Sequence, residues 1–176
     1  RYPFVRQEGS VYQMFEPIAA VVLSPYGGNP DKIPNEDSLN FEFDDTNLFS
    51  ANRYPGLDRV EGGPRLNYGL RWGVFGLGGG HTSFLIGQSV RARDDDTFAE
   101  NSGLEDRFSD IVARAKISPG RHLDLTYRTR LDKEDFAPRR NEVSMGAGHD
   151  ALRLSTNYVF FDRQPDSEFS TSREEF

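Results

Sequence analysis

The sequence predicts an all-β chain, folded as an antiparallel transmembrane β-barrel and covering about seven strands of a larger outer-membrane barrel. Three observations carry that expectation. Apolar and polar residues alternate with period two in stretch after stretch, which places one set of side chains on each face of a strand. Tight turns and longer links alternate along the chain, as they do where short turns close one rim of a barrel and loops the other. No long window repeats apolar residues at helical spacing behind a capping residue.

Strands are expected near 12–24, 65–76, 82–93, 108–118, 121–131, 141–149 and 152–162. The clearest runs from Arg65 to Phe75, with Leu66, Tyr68, Leu70, Trp72 and Val74 on one face and Arg65, Asn67, Gly69, Arg71 and Gly73 on the other. Leu123, Leu125, Tyr127 and Leu131 oppose His122, Asp124, Arg128 and Arg130. Leu152, Leu154, Tyr158 and Phe160 oppose Arg153, Ser155 and Asn157. Ile111, Ala113, Ala115 and Ile117 oppose Arg114 and Lys116, and Val143, Met145 and Ala147 oppose Glu142, Ser144 and Gly146. Phe84, Ile86 and Val90 oppose Ser83, Ser89 and Arg91, but Leu85 and Gln88 break that pattern, and the faces of 12–24 are not clearly sorted. Gly78-Gly79-Gly80, Pro119-Gly120 and Asp150-Ala151 read as tight turns. The glycine run lacks the lysine ending and the following helix of a phosphate loop.

An even number of strands, eight or more, closes a bacterial single-chain barrel, so seven imply a missed strand or a segment. The chain opens at Arg1 with no initiator methionine or signal peptide, and is read as a processed or excised segment.

Composition narrows the classes. The 176 residues include no cysteine, which excludes a disulfide framework or a thiolate metal site within them. The net charge of −7 argues against a nucleic-acid partner. No stretch approaches the ~20 consecutive apolar residues of a spanning helix, but a spanning strand needs only ~9–11 residues, with every second one apolar. His81, His122 and His149 have no metal-ligand spacing, and neither metal nor cofactor is expected. The run Asp94-Asp95-Asp96 reads as a solvated acidic loop. Ser144 and His122, both inward-facing on neighbouring strands by register, could make a nucleophile and base, but no orienting group or oxyanion hole accompanies them, so no enzyme is expected.

Charge is sorted by position. The polar strand faces are basic, while the surplus acid sits in the links, at Glu36, Asp37, Asp44, Asp45, Glu105 and Asp106 among others. If the apolar faces meet lipid, Arg71, Arg91, Arg114, Lys116, Arg128, Arg130 and Arg153 line the lumen, toward an anionic passenger or a plug. A soluble barrel has the opposite sidedness, and the arginines alone do not decide between the two. Trp72, Tyr127, Tyr158 and Phe160 lie on apolar faces near strand ends, where a membrane barrel carries its aromatic girdle.

The link over 25–64 is far longer than the ~12–15 residues that compact proteins ordinarily tolerate without a function. Its apolar residues Phe41, Phe43, Leu48, Phe49, Tyr54 and Leu57 are placed to fold it against the barrel, with Arg53, Asp58 and Arg59 as an ion-paired clasp. Here the sequence resembles a known family. Glu16-Pro17 opens a strand ending at Pro25. Asn35-x-Asp37-Ser38, Asp45-x-Asn47-Leu48-Phe49 and Asn52-Arg53-x-x-Gly56-Leu57-Asp58-Arg59 follow, then Asn67-Tyr68-Gly69-Leu70 and Gly87-Gln88. The pattern resembles the lipopolysaccharide-assembly outer-membrane protein family, LptD (also OstA or Imp), over residues 15 to 92; from 93 to 176 only the strand rhythm agrees.

The resemblance implies a partial barrel domain over 1–176, a long extracellular loop at about 25–64, and a place in the Gram-negative outer membrane. It implies transport of lipopolysaccharide (LPS) and its insertion into the outer leaflet. The implied partners are LPS, an LptE-like plug lipoprotein in the lumen, outer-membrane lipid, and a periplasmic LPS-bridge protein acting through a domain not in this segment. Asn52, Arg53, Gly56, Leu57, Asp58 and Arg59 are then expected to fix the loop. Two other readings stay open on the residues alone: an anion-selective porin and a soluble β-sheet binding module.

Overall fold

The computed structural model describes residues 1–30, 32, 34–38, 42–93, 98, 101–149, 151–161 and 173–175. They form one antiparallel sheet of nine strands in chain order: β1 (Phe4–Glu8), β2 (Val11–Val22), β3 (Arg65–Gly76), β4 (His81–Arg91), β5 (Ile111–Ser118), β6 (Leu123–Leu131), β7 (Pro138–His149), β8 (Leu152–Phe161) and β9 (Arg173–Glu175). The fold is the all-β, antiparallel one expected; the sheet is open, with β1 and β9 as its edges. These two strands lie outside the seven expected ones. Phe4-Val5 and Arg173-Glu174-Glu175 do not alternate, so the period that exposes the other strands is missing from them.

Turns and loops fall at opposite ends. β1–β2, β3–β4 and β5–β6 are joined by short turns at one end of the sheet, where β7 and β8 also pair out to His149 and Leu152; Asp150 of the expected turn lies outside the described residues. Gly9 supplies the left-handed conformation (φ +58°) that the two-residue turn between Glu8 and Val11 requires. The links 23–64, 92–110 and 132–137 leave from the other end. The Asp94-Asp95-Asp96 run and Phe41 lie outside the described residues.

Sidedness is the informative feature. Pairing places Phe4, Phe15, Trp72, Phe84, Ala115, Tyr127, Val143 and Tyr158 in one row across eight strands, on the face that also carries Val21, Leu66, Ile117, Met145 and Leu154. Most of these large apolar side chains are exposed, Leu154 at 70%. The opposite face carries Glu16, Arg65, Asn67, Ser89, Arg91 and Arg130, all buried, Asn67 at 0%. A soluble protein does the reverse, because exposed apolar area costs roughly 25 cal/mol per Å² in water. A contiguous apolar face of this kind fits a hydrocarbon solvent.

The two irregular residues of β4 obey the same rule. Leu85 points inward and is buried, opposite Arg71 and Arg114. Gln88 points outward, where its amide is satisfied by the Tyr68 hydroxyl (2.5 Å) and donates to the Ser109 carbonyl (2.8 Å). The buried hydrophobic core is small and lies inside: Phe43 and Leu48 from the long loop, Phe98 and Leu104 from the next loop, and Val112 of β5, with Phe49 and Tyr54 packed against them. Both long loops therefore fold onto the inner wall.

Candidate functional site

The inner wall is built around arginines that face one another. Pairing sets Arg65 opposite Arg91, Arg114 opposite Arg128, and Arg130 opposite Arg140. Like charges directly opposite on neighbouring strands destabilise a sheet, so each pair needs an anion. Loops provide carboxylates to all three.

At the first pair, Glu61 is the anion. Its carboxylate contacts Arg53 (2.9 Å), Arg91 (3.0 Å) and Arg65 (3.3 Å), and the carboxylate is 1% exposed. Arg53 completes the cluster by donating to the Leu48 carbonyl (3.1 Å), Asn67 Oδ1 (2.6 Å) and Ser89 Oγ (3.0 Å). Arg65 donates to the Ala51 carbonyl, and Arg91 lies 4.6 Å over the Phe98 ring. Burial lowers the Arg53 guanidinium to about 10, with Glu61 opposing the shift, so it stays charged at neutral pH. The cluster joins the long loop to β3 and β4.

The second and third pairs form a chain of alternating charge. Asp45 contacts Arg114 (3.0 Å) and Arg128 (3.2 Å); Arg128 contacts Glu142 (2.8 Å); Glu142 contacts Arg140 (3.1 Å); Arg140 contacts Glu42 (2.6 Å). This chain fastens residues 42–45 of the long loop across β5, β6 and β7. Arg130 holds the 92–110 loop through Asp110 (3.4 Å) and the carbonyls of Asn101 (3.0 Å) and Ser102 (2.9 Å).

All seven cations expected to line the inside lie on the inward face by strand register. Six have carboxylate partners within the chain: Arg71 with Glu16 (3.0 Å), Arg153 with Asp124, and Arg91, Arg114, Arg128 and Arg130 as above. Lys116 has no carboxylate within 4 Å among the described residues. Toward the turn end the loops leave the wall open. A polar hollow of about 590 Å³ lies there, lined by Asp124, Thr126, Ser144, Arg153, Ser155 and Asn157 among others. Ser144 and His122 do not meet: Ser144 donates to Asn157 Oδ1 (2.6 Å), while His122 lies on Gly148 and stacks 5.0 Å from His149.

The model of LptD, LPS transport system D, matches residues 1–175. The chain belongs to the LptD family. No curated protein matches it. LptD is a transport and assembly family of the Gram-negative outer membrane, not an enzyme family, and its substrate is LPS. That membership agrees with an apolar exterior and a charged inner wall.

Within this LptD-family chain, the motif at 52–59 does several separate jobs. Asn52 Oδ1 accepts from the backbone of Glu61 (3.1 Å) and orients the hub carboxylate. Arg53 takes Glu61 as its carboxylate. Asp58 bonds to backbone instead: it accepts from the amides of Glu36 (2.9 Å) and Asp37 (3.3 Å), and Asp37 accepts from Leu57 (2.8 Å) and Asp58 (3.1 Å). The two aspartates thus clasp each other's backbone across the loop. At Gly56 a Cβ would overlap the Asp37 carboxylate, so a side chain there would displace that carboxylate from the clasp. Arg59 donates to the Asp58 carbonyl (3.2 Å), and Leu57 is exposed.

The clasp makes a pH prediction. The amides of Leu57 and Asp58 hold the Asp37 carboxyl below its usual range. A carboxyl lowered on folding stabilises above its unfolded value of 3.8, and that contribution fades as pH falls through the folded value. Hydrogen exchange at the amides of Leu57 and Asp58 should therefore speed up, relative to unfolded controls, below about pH 4. Asp37→Ala should show the same fast exchange already at pH 7. Exchange in Asp37→Ala equal to the parent at pH 7 would remove the clasp.

Residues outside the expected set carry much of the site: Glu61, Asp45, Glu42, Asp110, Arg65 and Arg140. The available signal was Glu61 itself, an acid set between Val60 and Gly62-Gly63-Pro64 and four residues ahead of an inward arginine.

Proposed function

We propose that this chain is part of the wall of the LPS translocon barrel, which passes LPS to the outer leaflet. The observation that carries the reading is the sidedness: apolar side chains outside, an arginine wall inside, and loops folded over that wall. Lipid contacts one surface and a phosphorylated, sugar-bearing molecule the other. The long loop lies on the extracellular side and closes the wall against free passage. An LptE-like plug lipoprotein would border the open polar hollow at the turn end and leave its lining, Asp124, Thr126, Arg153, Ser155 and Asn157 among others, to the passing LPS. The periplasmic bridge protein would deliver LPS from that same end. No catalytic step is involved.

Photo-crosslinking tests this reading. A photoreactive residue at Thr126 or Ser155, both inward, should form LPS adducts while newly made LPS is being exported and lose them when its synthesis is blocked. Adducts that persist unchanged after the block, or none at inward positions, would contradict the translocon role. Steady ion conductance in planar bilayers would favour a porin instead.

A further inference from the structure

The three arginine pairs of the inner wall differ in how firmly their carboxylates are held. Glu61 sits between Arg65 and Arg91 with all three side chains essentially sealed from solvent. Asp45 sits between Arg114 and Arg128, whose side chains are 29% exposed. Neither Asp45 oxygen nor Arg128 Nε makes an aligned hydrogen bond, although the charges are in contact. Burial raises the Asp45 carboxyl above its usual range, the strongest influence on it despite two neighbouring arginines. Asp44 adds a like charge beside it, and Glu142 already takes one side of Arg128. Asp45 is thus a poorly fitted anion at an open arginine pair.

The geometry suits a better one. The Asp45 oxygens divide between the two arginines, one contacting each, as two oxygens of a phosphate would. Guanidinium groups bind phosphate through paired N–H donors, and a phosphate monoester carries more charge than a carboxylate. Lys116 lies one pleat along β5 on the same face, with no carboxylate within 4 Å among the described residues.

We propose that Arg114 and Arg128 form a phosphate-binding site on the inner wall, and that Asp45 of the long loop occupies it until a phosphorylated lipid headgroup displaces it. The inference deepens the translocon reading and rests on it for the identity of the ligand. Displacement frees residues 44–46 from the wall and loosens the Asp44–Asn47 turn, while the Glu61 cluster, whose Arg53 also donates to the Asn47 carbonyl (3.3 Å), keeps 47–61 in place. The loop therefore yields in one part without leaving the wall.

The test uses the intact protein purified in detergent, with inorganic pyrophosphate as probe. Asp45→Asn should bind pyrophosphate about tenfold more tightly than the parent, the size of one charge-assisted contact. Asp45→Glu should show no gain. Adding Arg114→Gln and Arg128→Gln to Asp45→Asn should abolish the gain. No gain in Asp45→Asn, or a gain that survives loss of both arginines, overturns the site. In the parent, pyrophosphate should also speed hydrogen exchange at residues 44–47 and leave 52–61 unchanged; no change at 44–47 overturns the displacement, even if the variant folds poorly. Mixed micelles carrying a lipid with a phosphomonoester headgroup should reproduce the effect. If pyrophosphate acts and the lipid does not, the source is free phosphate and the headgroup assignment fails. If both act and the inward crosslinks to LPS are absent, the site stands and the translocon reading fails.

Discussion

Glu61→Ala is expected to be the most damaging single substitution in the long loop. It removes the carboxylate that contacts Arg53, Arg65 and Arg91, leaving three buried guanidinium groups side by side. Removing one partner of a buried ion pair typically costs about 3–5 kcal/mol, because the remaining charge is neither hydrated nor paired. Here the loss falls on a like-charge pair fixed by strand register, Arg65 opposite Arg91, which cannot move apart without breaking the β3–β4 ladder. Glu61→Gln keeps the shape and loses the charge, and should be nearly as harmful. Arg53→Ala should be milder, since Glu61 keeps two arginines, although Ser89 Oγ loses the Arg53 donor and Asn67 Oδ1 keeps only the Ser89 hydroxyl. The readouts are folded-barrel yield in the outer membrane, urea midpoint in detergent, and sensitivity to large antibiotics. Normal yield and permeability in Glu61→Ala would mean the cluster does not secure the loop.

Leu48→Ala tests the apolar half of the same anchorage. Leu48 is fully buried, packed with Phe43, Phe98, Leu104 and Val112. It fills the space over Gly87, where a Cβ would overlap the Leu48 side chain and lie 2.7 Å from the Tyr68 carbonyl. The absence of a side chain at Gly87 thus forms the socket and Leu48 is the knob. Emptying the socket should cost about 2–5 kcal/mol of loop docking. The strand wall does not depend on this residue, so barrel yield should hold while the loop loosens. Planar-bilayer conductance should rise and residues 43–54 should exchange faster. Parent-like conductance and exchange would show that the charged contacts alone hold the loop.

These two residues also show what was legible in advance. The alternation of Leu66, Tyr68, Leu70 and Trp72 with Arg65, Asn67, Gly69 and Arg71 was readable because lipid on one side and charge on the other force a strict period of two. The inward direction of the arginines followed from the same period. Their partners were not readable. Glu16, Asp124 and Glu142 are the strand acids that pair with them, and the other anions come from loops, across long separations: Glu61 reaches Arg91 thirty residues away. Local spacing suggested Arg53 with Asp58, but Asp58 is taken up by backbone amides of residues 36 and 37. Period alone does not encode how a loop returns to a wall. The socket at Gly87 was equally hidden, since a glycine in a strand shows only that something approaches closely, not what.

In a translocon wall the sheet has lipid on its apolar face and a charged, loop-covered interior on the other. Nitroxide scanning of β6 in the protein reconstituted into bilayers tests this directly, with single labels at each position from Leu123 to Leu131. Labels at Leu123, Leu125 and Tyr127 should collide with oxygen dissolved in the hydrocarbon and be shielded from a water-soluble nickel chelate. Labels at Asp124, Thr126 and Arg128 should show the reverse, giving a period-two oscillation with the two accessibilities out of phase. Oscillation of opposite phase, with the apolar positions shielded from lipid, or no oscillation at all, would contradict the account.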